Sequence, residues 1–180
     1  MDPKNIQWLE TPDPGCTPAE LPFLALEDTF VSGDRSDHRL SIRYYRRNED
    51  GALIGKVFFG PGTQGPPDHA HGGSMAALLD EAMGGAAWLA GHPVVAAQLN
   101  IKFSTMLPLE TPCLVEAEVV GVEGRKIRTR GVLRDMSGQN TFCEGEALFI
   151  TLDKGKIGQL SAKAQIIVDR MRQKNSDPKP

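Results

Sequence analysis

Two adjacent carboxylates, Asp80 and Glu81, lie in the middle of a stretch that is otherwise apolar. They are the only ionisable residues between Gly72 and Gly91, where the sequence predicts a long helix. A helix that is apolar nearly all round is expected to be buried. An ionised carboxylate there is costly unless it is paired, hydrogen-bonded or used in chemistry. We therefore expect one of the two to act as a general base or a nucleophile.

The predicted helix begins at a histidine and two glycines, His71, Gly72 and Gly73. A helix N-terminus carries unpaired N–H groups and a partial positive charge, and both favour a developing oxyanion. Glycine has no side chain, so a ligand can approach this backbone closely. We expect the Gly73 N–H to be the principal oxyanion donor, with Gly72 assisting. The alternative is that the glycines only permit a tight turn.

The residues around this helix resemble a known family. In chain order the matching parts are Gln64-Gly65-Pro66, His71-Gly72-Gly73, Asp80, Gly84 and the strand 99–103. This pattern resembles the PaaI-like branch of the hotdog-fold acyl-CoA thioesterases. The resemblance implies an α+β hotdog fold, in which an antiparallel sheet wraps a long central helix. It also implies hydrolysis of acyl-CoA to a free acid and CoA, without a metal or a cofactor.

The same resemblance implies that Asp80 is the general base or nucleophile; the alternative is a buried structural carboxylate. Glu81 points about 100° away around the helix. We expect Glu81 to be a structural partner rather than the catalytic acid. Because it lies next to Asp80, we also count it among the residues that border the substrate. His71 either contacts the thioester carbonyl or orders the loop. Gln64 and Gly65 are expected to contact the substrate from that loop.

The helix also fixes the distance between the groups that must act together. Asp80 lies seven residues beyond Gly73, so at a rise of about 1.5 Å per residue they are about 10 Å apart along the axis. One thioester carbon cannot meet both groups at catalytic range. If both act, they come from different subunits of a homodimer, with two antiparallel helices about a two-fold axis. The resemblance implies the same shared site, in a dimer or a tetramer.

Three cationic residues alternate along a later predicted strand: Lys126, Arg128 and Arg130. The plain interpretation is a solvated strand face. In the more specific interpretation, Lys126 and Arg128 bind the substrate as part of a patch for the phosphates of CoA.

The remaining pattern supplies the elements that position the site. A hairpin is predicted over residues 40–59, and four strands after the helix, over residues 94–105, 113–122, 125–136 and 140–152. Residues 1–37 are expected to form an extended arm with one short helix after Pro18, because five of the thirteen prolines lie in the first 22 residues. Residues 38–153 are then the hotdog domain, and residues 154–180 a partly helical tail.

Composition excludes several classes of protein. With 180 residues and 40% hydrophobic composition, one domain is expected. A net charge of −3 argues against nucleic acid or an anionic membrane as the main partner. With neither a signal-like start nor a run that could span a bilayer, we expect a cytoplasmic protein. Three scattered cysteines without CxxC predict neither a disulfide framework nor a zinc site.

Two other functions are compatible with the same fold. A hotdog dehydratase or hydratase acts on the same thioesters but adds or removes water at the α,β carbons, and it usually pairs a histidine with an acid in a different pattern. A non-catalytic acyl-CoA-binding module is the second alternative. The acyl group itself is not indicated by the sequence.

Overall fold

The structure, a computed structural model, describes residues 3–25, 29–34 and 36–152. The helices and strands are α1 (Pro3–Glu10), β1 (Cys16–Pro18), β2 (Leu40–Arg47), β3 (Leu53–Phe59), α2 (Gly72–Leu89), β4 (Val94–Phe103), β5 (Cys113–Glu123), β6 (Lys126–Asp135) and β7 (Thr141–Thr151). Short 3₁₀ turns lie at Pro22–Ala25 and Pro61–Thr63. The predicted hairpin, central helix and four following strands are confirmed. The predicted helical tail lies outside the described residues.

The seven strands form one antiparallel sheet in the order β1-β2-β3-β5-β6-β7-β4. The helix α2 packs on one face of this sheet and contacts β3 to β7. Its side chains at Leu78, Leu79, Ala82 and Met83 are fully buried, as an apolar helix predicts. The α+β architecture, with an antiparallel sheet around a long central helix, is confirmed.

Two facing glycines in the sheet let α2 lie close to it. Gly131 of β6 pairs with Gly145 of β7. A Cβ added to Gly131 would lie 3.0 Å from side-chain atoms of both Leu79 and Met83, and one on Gly145 would lie 2.5 Å from Ile101 Cδ1. Side chains here would overpack the contact between helix and sheet. The glycine pair therefore sets how closely α2 approaches the strands.

The strand β4 ends the sheet, and only one of its edges is paired. It pairs with β7, and no other strand of the described chain lies along its second edge. Val95, Leu99 and Phe103 of β4 are 49%, 38% and 50% exposed. An open edge strand with apolar side chains is a template for pairing with another chain.

The N-terminal segment, residues 3–25 and 29–34, begins on the outer face of the sheet, the face away from α2. The ammonium of Lys56 donates to Asp13 Oδ1 at 2.6 Å and to the Thr11 carbonyl at 2.7 Å, although Lys56 is only 1% exposed. The Tyr45 hydroxyl donates to the Leu9 carbonyl. These polar contacts hold α1 and the turn after it against β2 and β3, and β1 extends the same sheet.

The prediction of an extended N-terminal arm with one short helix after Pro18 is wrong for the first residues. Pro3–Glu10 is an α-helix, and among the described residues between Pro18 and β2 the helical element is a 3₁₀ turn at Pro22–Ala25. Pro3 begins α1, a position where the missing N–H of proline costs no hydrogen bond. Leu9 is buried against the sheet. The prolines flank this helix rather than interrupt it, which is why their number misled.

Replacing Lys56 by Met should destabilise the protein by about 1–3 kcal/mol, because the buried ammonium's hydrogen bonds to Asp13 and to the Thr11 carbonyl are lost. Urea unfolding measures the loss. The matched control is Lys102→Met, which removes an ammonium whose ion pair with Glu144 has side chains 75% and 47% exposed. That change should cost no more than about 0.5 kcal/mol. Equal losses would reduce the Lys56 contact to an ordinary surface ion pair.

Candidate active site

Asp80 lies on the ridge of α2 that faces β7 and β4, the end of the sheet where the edge of β4 is unpaired. Residues four apart share a ridge, and this ridge also carries Gly72, Ala76 and Gly84. A Cβ on Gly72 would lie 3.4 Å from Phe103 of β4, and one on Gly84 would lie 3.3 Å from Phe149 of β7. Asp80 is partly buried, and its Oδ1 has no hydrogen-bond partner among the described residues. Burial raises the pKa of this carboxyl.

Glu81 lies on a different side of α2, and both of its carboxylate oxygens are hydrogen-bonded. The Tyr44 hydroxyl of β2 donates to Oε1 at 3.0 Å, and the Ser32 hydroxyl of the N-terminal segment donates to Oε2 at 3.3 Å. Burial raises the pKa of Glu81 to about 6, although both hydrogen bonds lower it. The two adjacent carboxylates therefore differ: Glu81 is held by the protein, whereas Asp80 keeps an oxygen available.

His71 caps the N-terminus of α2 with its imidazole ring. Its Nδ1 accepts the Gly73 N–H at 2.9 Å, and its backbone is extended, with φ −68° and ψ 138°. Since Nδ1 accepts, the proton of the neutral ring lies on Nε2. No described residue accepts the Gly72 N–H. The donor that the protein leaves unused at this terminus is therefore the one on Gly72.

The loop before α2 packs directly against the capping histidine. The His71 N–H donates to the Thr63 carbonyl at 2.7 Å, and Gln64 Oε1 accepts the Asp68 N–H at 3.3 Å. A Cβ added to Gly65 would lie 2.8 Å from the Cα of His71, a distance that the backbone cannot accommodate without moving. Glycine is thus required at position 65 for the loop to pass His71. The structure brings this loop to the N-terminus of α2.

The cationic strand face lies apart from these residues. Ile127 and Thr129 of β6 are buried beneath α2, so their neighbours Lys126, Arg128 and Arg130 point to the outer face and are exposed. Arg130 pairs with Glu118 of β5 at 2.6 Å. The sheet therefore separates Lys126 and Arg128 from the Asp80 side of the protein.

Sequence analysis does not identify three residues that contact α2: Ser32 and Tyr44 beside Glu81, and Phe103 beside the helix start. The alternation of apolar residues along β2 does predict that Tyr44 points inward, so its position had a usable signal. No pattern relates Ser32 to Glu81, since the two are 49 residues apart in the chain. Phe103 ends β4 beside Gly72, and only the packing of α2 on the sheet brings them together.

Neither a metal-ligand cluster nor a membrane-spanning helix is found within residues 3–25, 29–34 and 36–152. No three His, Cys, Asp or Glu side chains there come together as a ligand set. The His69 ring instead lies 2.7 Å from the Pro67 carbonyl. No helix in these ranges has the length and apolar character needed to cross a bilayer.

The fold and the site define a class of protein: a hotdog domain with a carboxylate in mid-helix and glycines at the helix start. Residues 68–141 match the family model described as Thioesterase superfamily. The chain belongs to this superfamily, and the predicted resemblance to the hotdog thioesterases is confirmed; the E. coli PaaI protein shares the fold.

Individual relatives agree with this assignment. Human acyl-coenzyme A thioesterase THEM5 is 31% identical over 162 residues, covering 83% of this chain and 66% of that protein. The chain thus spans about two thirds of that relative's length. The E. coli PaaI protein from the phenylacetic acid degradation operon superposes with TM-score 0.56 at 15% identity, covering 63% and 80% of the two chains. A Streptococcus pneumoniae thioesterase solved with coenzyme A superposes with TM-score 0.56 at 18% identity. The match covers 63% of this chain and 86% of that chain.

Replacing His71 by Ala should destabilise the protein by about 1 kcal/mol, because the Gly73 N–H loses its cap. Replacing it by Asn should cost much less, since the Asn side chain is among the best N-caps. Urea unfolding of the two variants beside the wild type measures the difference. If Asn and Ala destabilise equally, the ring of His71 contributes through packing rather than through the cap.

Proposed function

We propose that this chain is an acyl-CoA thioesterase, which hydrolyses a thioester to a free acid and CoA. The observation that carries the proposal is the Asp80 carboxylate, partly buried on an apolar helix with one oxygen unpaired in the described chain. The name of the human relative and the coenzyme A in the streptococcal structure support the substrate class. The fold alone would not distinguish this function from others.

In the proposed reaction Asp80 takes a proton from a water molecule while the oxygen of that water bonds to the thioester carbon. The carbonyl oxygen becomes an oxyanion, which a helix N-terminal N–H stabilises. The C–S bond then breaks, and the proton passes from Asp80 to the CoA thiolate. The raised pKa of Asp80 makes its ionised form a stronger base. In the alternative, Asp80 attacks the carbon itself, and water hydrolyses the resulting anhydride.

We assign the oxyanion first to Gly72 rather than to Gly73, which reverses the order expected from the sequence. The Gly73 N–H is engaged by His71 Nδ1, whereas the Gly72 N–H has no acceptor in the described chain. A thioester oxygen can use the free donor without breaking the cap. The Nε2–H of His71 is then a second donor for the same oxygen.

We further propose that the site is shared between two subunits of a homodimer. Asp80 lies eight residues beyond Gly72, about 12 Å along the axis, so one thioester cannot meet both groups of one helix. The open edge of β4 supports a partner, because its exposed Leu99 and Phe103, which pair with the buried Ala147 and Cys143, lie on the face of the sheet that α2 covers. Antiparallel pairing of two β4 strands would bring each Asp80 towards the partner's helix start. A tetramer would add a second dimer without changing the site.

The outlying residues have subordinate parts in the proposal. Gln64 and Gly65 border the thioester from the loop, beside His71. That Lys126 and Arg128 bind the phosphates of CoA stays a prediction, because both are exposed on the outer face of the sheet, apart from Asp80. Glu81 acts through the protein rather than on the substrate. A cytoplasmic location stays a prediction.

Replacing Asp80 by Asn should lower kcat by about 10²–10⁴-fold, because only the basic oxygen is lost. Release of free CoA from a panel of acyl-CoAs measures turnover, and calorimetric titration checks that binding persists. Glu81→Gln is the control: it keeps an oxygen for Tyr44 and should lose far less. A wild-type protein that binds acyl-CoA without releasing CoA would be a binding module, and one that hydrates an enoyl thioester would be a hydratase.

The same Asn variant should be more stable than the wild type at about pH 8 but not at about pH 3. The folded pKa of Asp80 is raised above its unfolded value. Its ionised form therefore destabilises the fold, an effect absent below the unfolded pKa and complete above the folded one. Thermal unfolding across this pH range tests the sign, and a variant less stable at high pH would contradict it.

Mixing two inactive variants tests the shared site. One carries Asp80→Asn and the other carries bulky replacements at Gly72 and Gly73, so a heterodimer regains one site with both working halves. Unfolding and remixing the two should restore up to about a quarter of the wild-type activity, since half of the dimers are mixed and each has one good site. Mixed dimers without activity, verified by differential tagging, would assign the whole site to one chain.

A further inference from the structure

A chain of hydroxyl groups connects the N-terminal segment to the middle of α2. Thr29 Oγ1 lies 3.1 Å from Ser32 Oγ, and the Ser32 hydroxyl donates to Glu81. Tyr44, only 4% exposed, donates to the other oxygen of Glu81. Two separate elements thus hold one carboxylate, and that carboxylate is the residue next to Asp80.

We propose that Ser32 and Tyr44 are positioning residues for the hydrolysis: by holding both oxygens of Glu81 they fix the rotation of α2, and with it the direction of Asp80. The proposal rests on the proposed function, in which Asp80 is the reacting group. In this proposal the N-terminal segment affects catalysis by holding Glu81, without contacting the substrate.

Apolar packing and the hydrogen bonds of Glu81 both hold α2, but in different ways. Between Gly72 and Leu89 the polar side chains other than Trp88 belong to Ser74, Asp80 and Glu81, and the Ser74 hydroxyl is bound to the His71 carbonyl at the helix start. Apolar packing is non-directional, whereas hydrogen bonds restrict both distance and angle. In the middle of α2 the hydrogen bonds of Glu81 are therefore the directional contacts with the sheet.

The glycines beneath the helix make such a restraint useful. Gly131 and Gly145 present no side chains to α2, and the Asp80 ridge itself carries Gly72, Ala76 and Gly84. These small residues give α2 close contact with the sheet but few projections to resist turning. Since Asp80 and Glu81 are about 100° apart around the axis, anchoring one fixes the direction of the other.

The charge on Glu81 adds a second effect of the same contacts. Its charged and polar neighbours in the described chain are Asp80 on its own helix, Tyr44 on β2 and Ser32 on the N-terminal segment. The two hydroxyl groups favour the ionised carboxylate. Without the Tyr44 hydroxyl, the pKa of Glu81 should rise, and Glu81 should carry its charge beside Asp80 over a narrower pH range.

The test compares two tyrosines on neighbouring positions of β2. Tyr44→Phe removes the hydroxyl that holds Glu81, and Tyr45→Phe removes an equally covered hydroxyl bound to the Leu9 carbonyl. Tyr44→Phe should lower kcat for acyl-CoA by about 10–100-fold with KM within about two-fold, the pattern of a misplaced catalytic group. Tyr45→Phe should keep kcat. Equal losses of kcat in the two variants, or none in Tyr44→Phe, would overturn the proposal.

A second pair of variants covers the case in which Tyr44→Phe does not fold. Ser32→Ala should lower kcat, whereas Ser41→Ala, whose hydroxyl is bound to Asp37 at 2.7 Å, should not. Glu81→Gln should retain most of the activity because it still accepts from Tyr44, and Glu81→Leu should lose it. Full activity of both Ser32→Ala and Glu81→Leu would overturn the proposal.

A readout without turnover separates this inference from the proposed function. Carboxyl ¹³C NMR titration follows Asp80 and Glu81 in the wild type and the variants. Tyr44→Phe should raise the pKa of Glu81 and shift the Asp80 resonance, while Tyr45→Phe should change neither. If the wild type releases no CoA, the proposed function fails while this result still tests the coupling. An Asp80 resonance that stays unchanged in Tyr44→Phe would refute it.

Discussion

An ionised carboxylate on an apolar helix packed against a sheet is costly unless the protein or a ligand meets it, and this constraint governs the centre of the molecule. The protein meets Glu81 with two hydroxyl groups, from Ser32 and Tyr44. It leaves Asp80 with a buried oxygen that no described residue pairs. The fold therefore hydrogen-bonds one carboxylate and leaves the other with an unpaired oxygen, and this second carboxylate is the one that we propose as the reacting group.

The start of α2 divides its backbone donors in a similar way. His71 satisfies the Gly73 N–H with its ring and leaves the Gly72 N–H unused. The cap holds this turn by a hydrogen bond, and we propose that the free donor is thereby preorganised for the oxyanion. Preorganised donors of this kind are effective at stabilising an oxyanion because they need no reorganisation during the reaction. The length of α2 separates this donor from Asp80, and the open edge of β4 lies where a second chain could shorten that separation.

The N-terminal segment uses both faces of the sheet. On the outer face, Lys56 and Tyr45 hold α1 and its following turn through backbone carbonyls and Asp13. On the inner side, Ser32 reaches Glu81 beneath Tyr44. One stretch of chain thus stabilises the sheet from outside and contacts the central helix from inside, which is the physical basis for linking it to the position of Asp80.

Local sequence determined the elements of this protein and the residue types of its site. The apolar stretch around Asp80, the alternation along the strands and the glycines after His71 each act within a few residues, so α2, the strands and the facing of Asp80 and Glu81 were predictable. The helix α1 was missed because the prolines around it suggested an extended chain. Its apolar side is buried only by contact with the sheet, which the local sequence does not reveal. Tertiary structure alone decided that Ser32 meets Glu81 and that Lys126 and Arg128 lie on the outer face. Those outcomes depend on contacts between distant segments, whose partners periodicity cannot specify.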